Sequence, residues 1–348
     1  MSIINLLRPA CSPSVVPSTR SLSGSGRLDH NYLVSALGEK VADKLCSQLI
    51  GVDGRLLVSH FPAVATKRKK IDFTHLGQMV PPLVVIKPEE LGDHLSFYPV
   101  SISSEESDSY REALYRQSRD SFFVVDPGSV SIDLHYLKCF LLIVKKNKLI
   151  FVADDHTYAA YALALAKGIG FINELALFNF DQHTDSIFND LLHKELVKPG
   201  GIEMGVTEVA KLTQTNLEIN QWLMFACKTA GLMREEDVYY ILTKYLNSRK
   251  PGLRNSRTIS EVINEMQRVK NEGKGTVMSY DLDLLAYQYA QYCEILPEDI
   301  KVDSKTIDAV IREAARISPL TIIATSPDYF NADKRVISDK IREIVEAA

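Results

Sequence analysis

Three apolar, β-type runs in this chain end in carboxylates and histidines, and this arrangement limits its folding more than any other feature. Leu149–Ala153 leads into Asp154-Asp155-His156, Leu175–Phe180 into Asp181-Gln182-His183-Thr184-Asp185, and Thr276–Tyr280 into Asp281-Leu282-Asp283. Continuous apolar runs of this length suit strands buried on both faces, the strand type of a parallel sheet. Open α/β sheets keep their chemistry outside the carboxyl ends of their strands. In extended chain, residues at i, i+2 and i+4 project to one side, so Asp181, His183 and Asp185 can converge on one point, as can Asp281 and Asp283.

The rest of the chain agrees with such a sheet. Strand-like runs fall near 122–125, 140–144, 149–153, 175–180, 237–242, 276–280 and 320–325. Helical patterns near 157–167, 216–231, 258–271, 304–317 and 333–347 mostly separate them. That alternation predicts an α/β fold, a mainly parallel sheet flanked by helices. One exception is Leu141–Val152, where Lys145-Lys-Asn-Lys148 can turn a hairpin and make the first strand antiparallel. Residues 1–28 carry no acid, three Arg, three Pro and many Ser, and read as a disordered tail in preference to a transit peptide. Residues 29–110 form an N-terminal accessory segment with apolar stretches at Leu56–Val58 and Pro81–Ile86, and 111–348 the catalytic domain. Ser101–Ser109 reads as a flexible acidic connector between them, and Lys67–Lys70 as a solvated charge run.

His156, Asp181, His183, Asp185, Asp281 and Asp283 together supply four carboxylates and two imidazoles. Their negative charge balances two divalent cations better than one, and oxygen-rich ligation favours manganese over zinc, with zinc, iron and cobalt still open. Asp154 or Asp155 reads as a cap of the following helix.

These residues resemble a known family. Arginase-type ureohydrolases carry a Gly-Gly-Asp-His-type loop, then Asp-Ala-His-x-Asp, then Ser-x-Asp-x-Asp, each after a strand of a parallel sheet. Here the same order reads Ala153-Asp154-Asp155-His156, Asp181-Gln-His-Thr-Asp185 and Ser279-Tyr-Asp281-Leu-Asp283. The resemblance covers roughly residues 120 to 348 and implies a three-layer arginase-like fold holding two Mn2+. By position, His156 and Asp185 would bind one ion, His183 and Asp283 the other, and Asp181 and Asp281 would bridge. Further stretches, Asp154–Leu163 and Leu217–Tyr240, look like the divergent branch containing the peptide arginases, which convert arginines of ribosomally made precursor peptides to ornithine.

Two departures from the family bear on substrate. Enzymes acting on free arginine follow the second motif with Asn and Ser positions that hold the amino acid's charged head, whereas this chain continues Ser186-Ile187-Phe188-Asn189-Asp190. The Asp-Pro that follows the third motif in the family is replaced by Leu284-Leu285. An arginine-containing precursor peptide is therefore the expected partner. In the mechanism this implies, solvent activated by two cations attacks a guanidinium carbon, urea and ornithine form, and the rate rises with pH. Asp283 or Asp185 would take the proton and pass it on. His193, in the charged stretch Leu191–Glu195, is a candidate proton shuttle, although an ordinary surface histidine fits that setting as well. Asp328, just past the last strand, is the candidate acid for the guanidinium, and a turn after Pro327 is its plainer reading.

With 348 residues, 46% hydrophobic, and a net charge of −4, the chain can bury a large core and offers no strong nucleic-acid signal. The lack of an apolar run long enough for a membrane span excludes that class. Five cysteines without Cys-x-x-Cys spacing, of which 139, 227 and 293 lie among apolar or aromatic neighbours, read as buried thiols of a cytoplasmic protein, with a homo-oligomer open. Three other readings compete. A zinc deacetylase of the same fold needs only one ligand set, a dinuclear phosphoesterase lacks its Gly-rich cradle here, and a non-enzymatic peptide-binding protein could keep a structural metal.

Overall fold

The computed structural model describes residues 30–52, 55–58, 83–103, 131–188, 193–194, 204–215, 217, 219–289, 300, 302–327 and 329–348. Eleven strands occur among them: β1 (Leu49–Val52), β2 (Arg55–Val58), β3 (Leu83–Ile86), β4 (Phe97–Ser103), β5 (Ser131–Leu137), β6 (Phe140–Lys145), β7 (Lys148–Ala153), β8 (Leu175–Asp181), β9 (Val238–Leu242), β10 (Gly275–Asp281) and β11 (Leu320–Ala324). Nine of them form one sheet in the order β1-β2-β3-β6-β7-β11-β10-β8-β9. From β7 to β9 every neighbour is parallel. β6 and β7 are the expected antiparallel hairpin, turned at Asn147 with φ 56°.

Burial explains why the centre of the sheet is parallel. Every residue of β8, β9 and β11 is buried, so neither face of these strands can meet water, and helices must cover both. The longer helices are α1 (His30–Leu37), α2 (Glu39–Gln48), α3 (Tyr158–Gly168), α4 (Val206–Thr215), α5 (Val262–Asn271), α6 (Ser304–Ile317) and α7 (Lys334–Ala347). α3 is buried from Tyr158 to Ala166, and its alanines let its neighbours come close. α6 and α7 are amphipathic, burying Ile307, Ile311, Ala314 and Ala315, and Ile337, Ile341, Ile344 and Val345 at helical spacing. No helix among the described residues is long and apolar enough to cross a membrane.

The segment before residue 110 contributes β1, β2 and β3 to the main sheet, and Leu33, Leu45 and Leu83 join its core. Other expectations change. Ser101–Ser103 belongs to β4, paired antiparallel with β5, because the Ser-Ile-Ser alternation suits a strand edge as well as a linker. The continuous helix expected over 216–231 is broken into a 3-10 turn (Ile219–Gln221), an α turn (Trp222–Met224) and a π turn (Phe225–Thr229). Backbone groups that a regular helix would use internally serve a neighbouring loop instead: Leu223 N–H donates to Asp185 O, and Asn220 O accepts from Ile187 N–H. Cys139 and Cys227 are half-buried, and burial pushes their thiols up to about 11 and about 12. The tail at 1–28, the boundary near 110, the run at 122–125 and Cys293 lie outside the described residues.

Candidate metal centre

The carboxyl ends of β7, β8 and β10 lie close together because β11 alone separates β7 from β10, and β8 adjoins β10. Their terminal residues bring all six expected ligands to one place. Asp181 and Asp281 are the last residues of β8 and β10, Asp283 is the second residue of the turn after β10, and His156 stands between β7 and α3. Two clusters result, His156 with Asp181 and Asp185, and Asp181 with His183 and Asp283.

His156 Nδ1 lies 2.9 Å from Asp181 Oδ2, 3.0 Å from Asp185 Oδ2 and 3.3 Å from Asp281 Oδ2. Completely buried, it is nevertheless aligned for a hydrogen bond with none of them. In the second cluster His183 Nδ1 lies 2.9 Å from Asp283 Oδ2 and 3.6 Å from Asp181 Oδ1, and Asp283 Oδ2 likewise has no hydrogen-bond partner. Each cluster thus holds one orphaned buried atom, with the other ligand atoms within 4.8 Å, and fits a cation. The inner cluster is buried throughout. The outer one opens at His183, whose side chain is 33% exposed and meets the Tyr329 ring edge-on at 5.1 Å.

The remaining oxygens are held by the protein. Asp181 Oδ1 accepts the His183 N–H at 2.6 Å, and Asp281 Oδ1 accepts the Asp283 N–H at 3.0 Å, so each Asp-x-His or Asp-x-Asp turn closes on itself. Asp283 Oδ1 accepts the Gln182 N–H at 3.0 Å, tying the two turns together. Ser326 Oγ donates to Asp281 Oδ2 at 2.6 Å, Asn179 Nδ2 lies 3.3 Å from Asp181 Oδ2, and Trp222 Nε1 donates to Asp185 Oδ2 at 2.6 Å. Ser279 Oγ lies 2.7 Å from His156 Nε2, which fixes the ring with Nδ1 toward the carboxylates. Asp185 and Ser326 adopt left-handed backbone, φ 47° and 39°, a costly conformation that clusters at functional sites.

Charge repeats the same conclusion. Burial, with the Asp181 charge nearby, pushes the Asp185 carboxyl up to about 7. Asp281 is raised by burial, and Asp283 is raised well above the carboxylate range by burial and by Asp281 and Asp181. For Asp181, burial is outweighed by His156 and His183, and its carboxyl is lowered. Burial also opposes charge on His156, but Asp181, Asp185 and Asp281 overcome it and raise the imidazole well above its ordinary value. A pocket that resists four ionised carboxylates when only protons are available is suited to two divalent cations.

Other expectations lead elsewhere. His193 faces Thr229 Oγ1 at 3.2 Å and the Phe188 ring at 5.1 Å, and belongs to neither cluster. Asp328 lies outside the described residues. Of the two acids before α3, Asp155 accepts the Thr157 N–H at the helix start, while Asp154 Oδ1 accepts from Leu137 N–H at 2.7 Å and Thr325 Oγ1 at 3.2 Å, joining β5 to the loop after β11. Sequence reasoning gave no role to Trp222, Ser326 or Asn179. Ser279 was visible inside its motif; nothing in spacing links Trp222 or Ser326 to an aspartate.

No family model matches the sequence, and no curated protein does. Among solved structures, the chain is similar to formimidoylglutamase from Bacillus subtilis, with TM-score 0.37 and 12% identity over 70% of this chain and 68% of that one. It is also similar to arginase from Entamoeba histolytica, at TM-score 0.39 and 12% identity over 58% and 69%. Arginase from Bacillus caldovelox is similar at TM-score 0.32 and 18% identity over 60% and 69%.

Proposed function

We propose that this chain is a metal-dependent hydrolase of the arginase-like superfamily, with two manganese ions as its native cofactor and arginine within a peptide as its substrate. It converts that side chain to ornithine and releases urea. One observation carries the reading: two ligand clusters joined by Asp181, each with a carboxylate 2.9 or 3.0 Å from an imidazole nitrogen that faces inward. The order of the three motifs along the chain supports the superfamily.

His156 and Asp185 would hold one ion, His183 and Asp283 the other, with Asp181 and Asp281 between them. Bound cations of this kind supply Lewis acidity and a solvent nucleophile at neutral pH. The chain's own groups do the rest. Asp283 or Asp185 is assigned to accept the nucleophile's proton and pass it to the leaving amine. Asp328, adjacent in sequence to the Tyr329 that flanks His183, is assigned to hold the guanidinium.

The preference for a peptide rests on Ile187 and Phe188. Ile187 is 53% exposed just past the inner ligands, and its backbone N–H is already engaged by Asn220 O. The side chains of Ile187 and Phe188 themselves offer no polar group to a free carboxylate and ammonium, whose unpaired burial costs several kcal/mol, roughly 2–7 for even a neutral polar group. An uncharged peptide backbone meets no such cost. Manganese-loaded protein incubated with free arginine and with arginine-containing peptides should release urea from the peptides, with the mass loss of ornithine formation. Turnover of free arginine alone would remove the peptide assignment and leave the superfamily reading standing. No urea from either, with two ions bound, would remove the amidino substrate.

A further inference from the structure

The loop that carries Asp185 is held by a segment far along the chain. Asp185 O accepts the Leu223 N–H at 3.2 Å, Ile187 N–H donates to Asn220 O at 2.9 Å, and Trp222 Nε1 donates to Asp185 Oδ2 at 2.6 Å. All three contacts bracket a non-glycine residue in left-handed backbone. That conformation is unfavourable by itself, so something must fix it. The helix containing Trp222 departs from regular geometry at this point, passing from a 3-10 turn to an α turn to a π turn. Interruptions of this sort recur at functional sites.

Trp222 also lies against a second ligand of the inner cluster, His156. Its ring lies 4.9 Å from that of His156, tilted by 47°. The indole therefore closes the inner half of the centre on two sides and is fully buried there. A carboxylate oxygen has two lone pairs, so the indole N–H can occupy one on Oδ2 and leave the other for a cation shared with His156, whose Nδ1 is 3.0 Å away. His183, in the outer cluster, is partly exposed and flanked by Tyr329.

We infer that Trp222 is the positioning residue of the inner cation site: its N–H holds Asp185 in the orientation that binds a divalent cation together with His156 and Asp181. This rests on the two-cation reading of the centre. Trp222 sets the affinity of the inner site and leaves the outer one unaffected. As the chain's single tryptophan, it also reports optically on inner-site occupancy.

The test uses the full chain freed of metal by a chelator and titrated with Mn2+ alone. Bound metal is measured by equilibrium dialysis and elemental analysis, and Trp222 emission is followed in parallel. The parent should bind two ions, and its emission should change as the inner site fills. In His183→Ala, which damages the outer site, that emission change should persist. Trp222→Phe keeps an aromatic ring but loses the donor; its inner-site affinity should fall by about 10- to 100-fold, with the outer site unchanged. A parent that binds no Mn2+ removes the two-cation reading and this inference with it. Two ions bound by Trp222→Phe with both parental affinities overturns the inference alone. Should Trp222→Phe fail to fold, as judged by circular dichroism, the optical titrations decide: emission that is indifferent to Mn2+ while two ions bind overturns it, and a response retained in His183→Ala supports it.

Discussion

Each ligand in this centre is positioned by a neighbour, and the neighbours were harder to read from sequence than the ligands. Spacing identifies Asp181, His183, Asp185, Asp281 and Asp283, because residues that alternate at a strand end have only one side to share. Ser326 and Trp222 approach from 45 and 37 residues away, and no local periodicity records such contacts. Asp154 and Asp155 show the same limit: either carboxylate could serve the helix start, and Asp155 does so while the partners of Asp154 are on β5 and beyond β11. The geometry distinguishes ligands by what they join. Asp181 belongs to both clusters, so Asp181→Ala should lose both ions, more than about 100-fold in affinity at each site, while His183→Ala should weaken mainly the outer one. Ser279→Ala, which frees His156 Nε2, should cost about 10- to 100-fold at the inner site. Elemental analysis after dialysis checks all three, and equal losses in Asp181→Ala and His183→Ala would contradict the shared-ligand geometry.

At the scale of elements, buried strands were readable because continuous apolar runs admit few alternatives. β6, β7, β8, β9, β10 and β11 appear within a residue or two of the expected positions. Helices were readable where an amphipathic stripe repeated, as in α6 and α7, and failed at 216–231, where long-range hydrogen bonds to the Asp185 loop override local preference. α1, α2 and α4 were missed: the first two lie in a segment whose role composition could not reveal, and α4 follows a polar, glycine-containing stretch. Close packing of α3 on α4 gives a test. A Cβ at Gly168 would lie 2.6 Å from Val206 Cγ2, and a valine methyl on a stiff side chain cannot swing aside. Gly168→Ala should therefore destabilise the protein by about 1–3 kcal/mol, and adding Val206→Ala should recover most of that loss. Thermal denaturation decides, and a single variant as stable as the parent would refute the close approach.

Across the whole molecule, the centre joins parts of the chain that only the sheet brings together, at the ends of β7, β8 and β10. Metal bound there belongs to the folded state, so it should stabilise the fold by about 2.7 kcal/mol per independent site when free ion is 100 times its Kd. The pH dependence of that stabilisation follows from the carboxylates. Asp185 binds its proton up to about 7 in the metal-free folded state, against 3.8 for an ordinary aspartate, and Asp281 and Asp283 are shifted in the same direction. Over that interval the folded chain holds more protons than the unfolded one, so raising the pH withdraws stability from the metal-free protein. His156 acts in the same sense above 6.5, since its folded pKa is raised and its contribution is lost as pH climbs through that higher value. Asp181 acts oppositely, but its lowered pKa places its gain in the acidic range, where it is complete before neutrality. Cations replace the protons that these groups otherwise hold, and they bind more tightly as proton competition fades. The difference in Tm between manganese-loaded and chelator-treated protein should therefore be larger at about pH 8 than at about pH 6, with most of the change coming from a falling Tm of the metal-free form. Differential scanning calorimetry at the two pH values measures it. A gap that narrows with rising pH, with both ions shown to be bound, would mean that these carboxylates are already ionised without metal, and that the charge balance inferred for the centre is wrong.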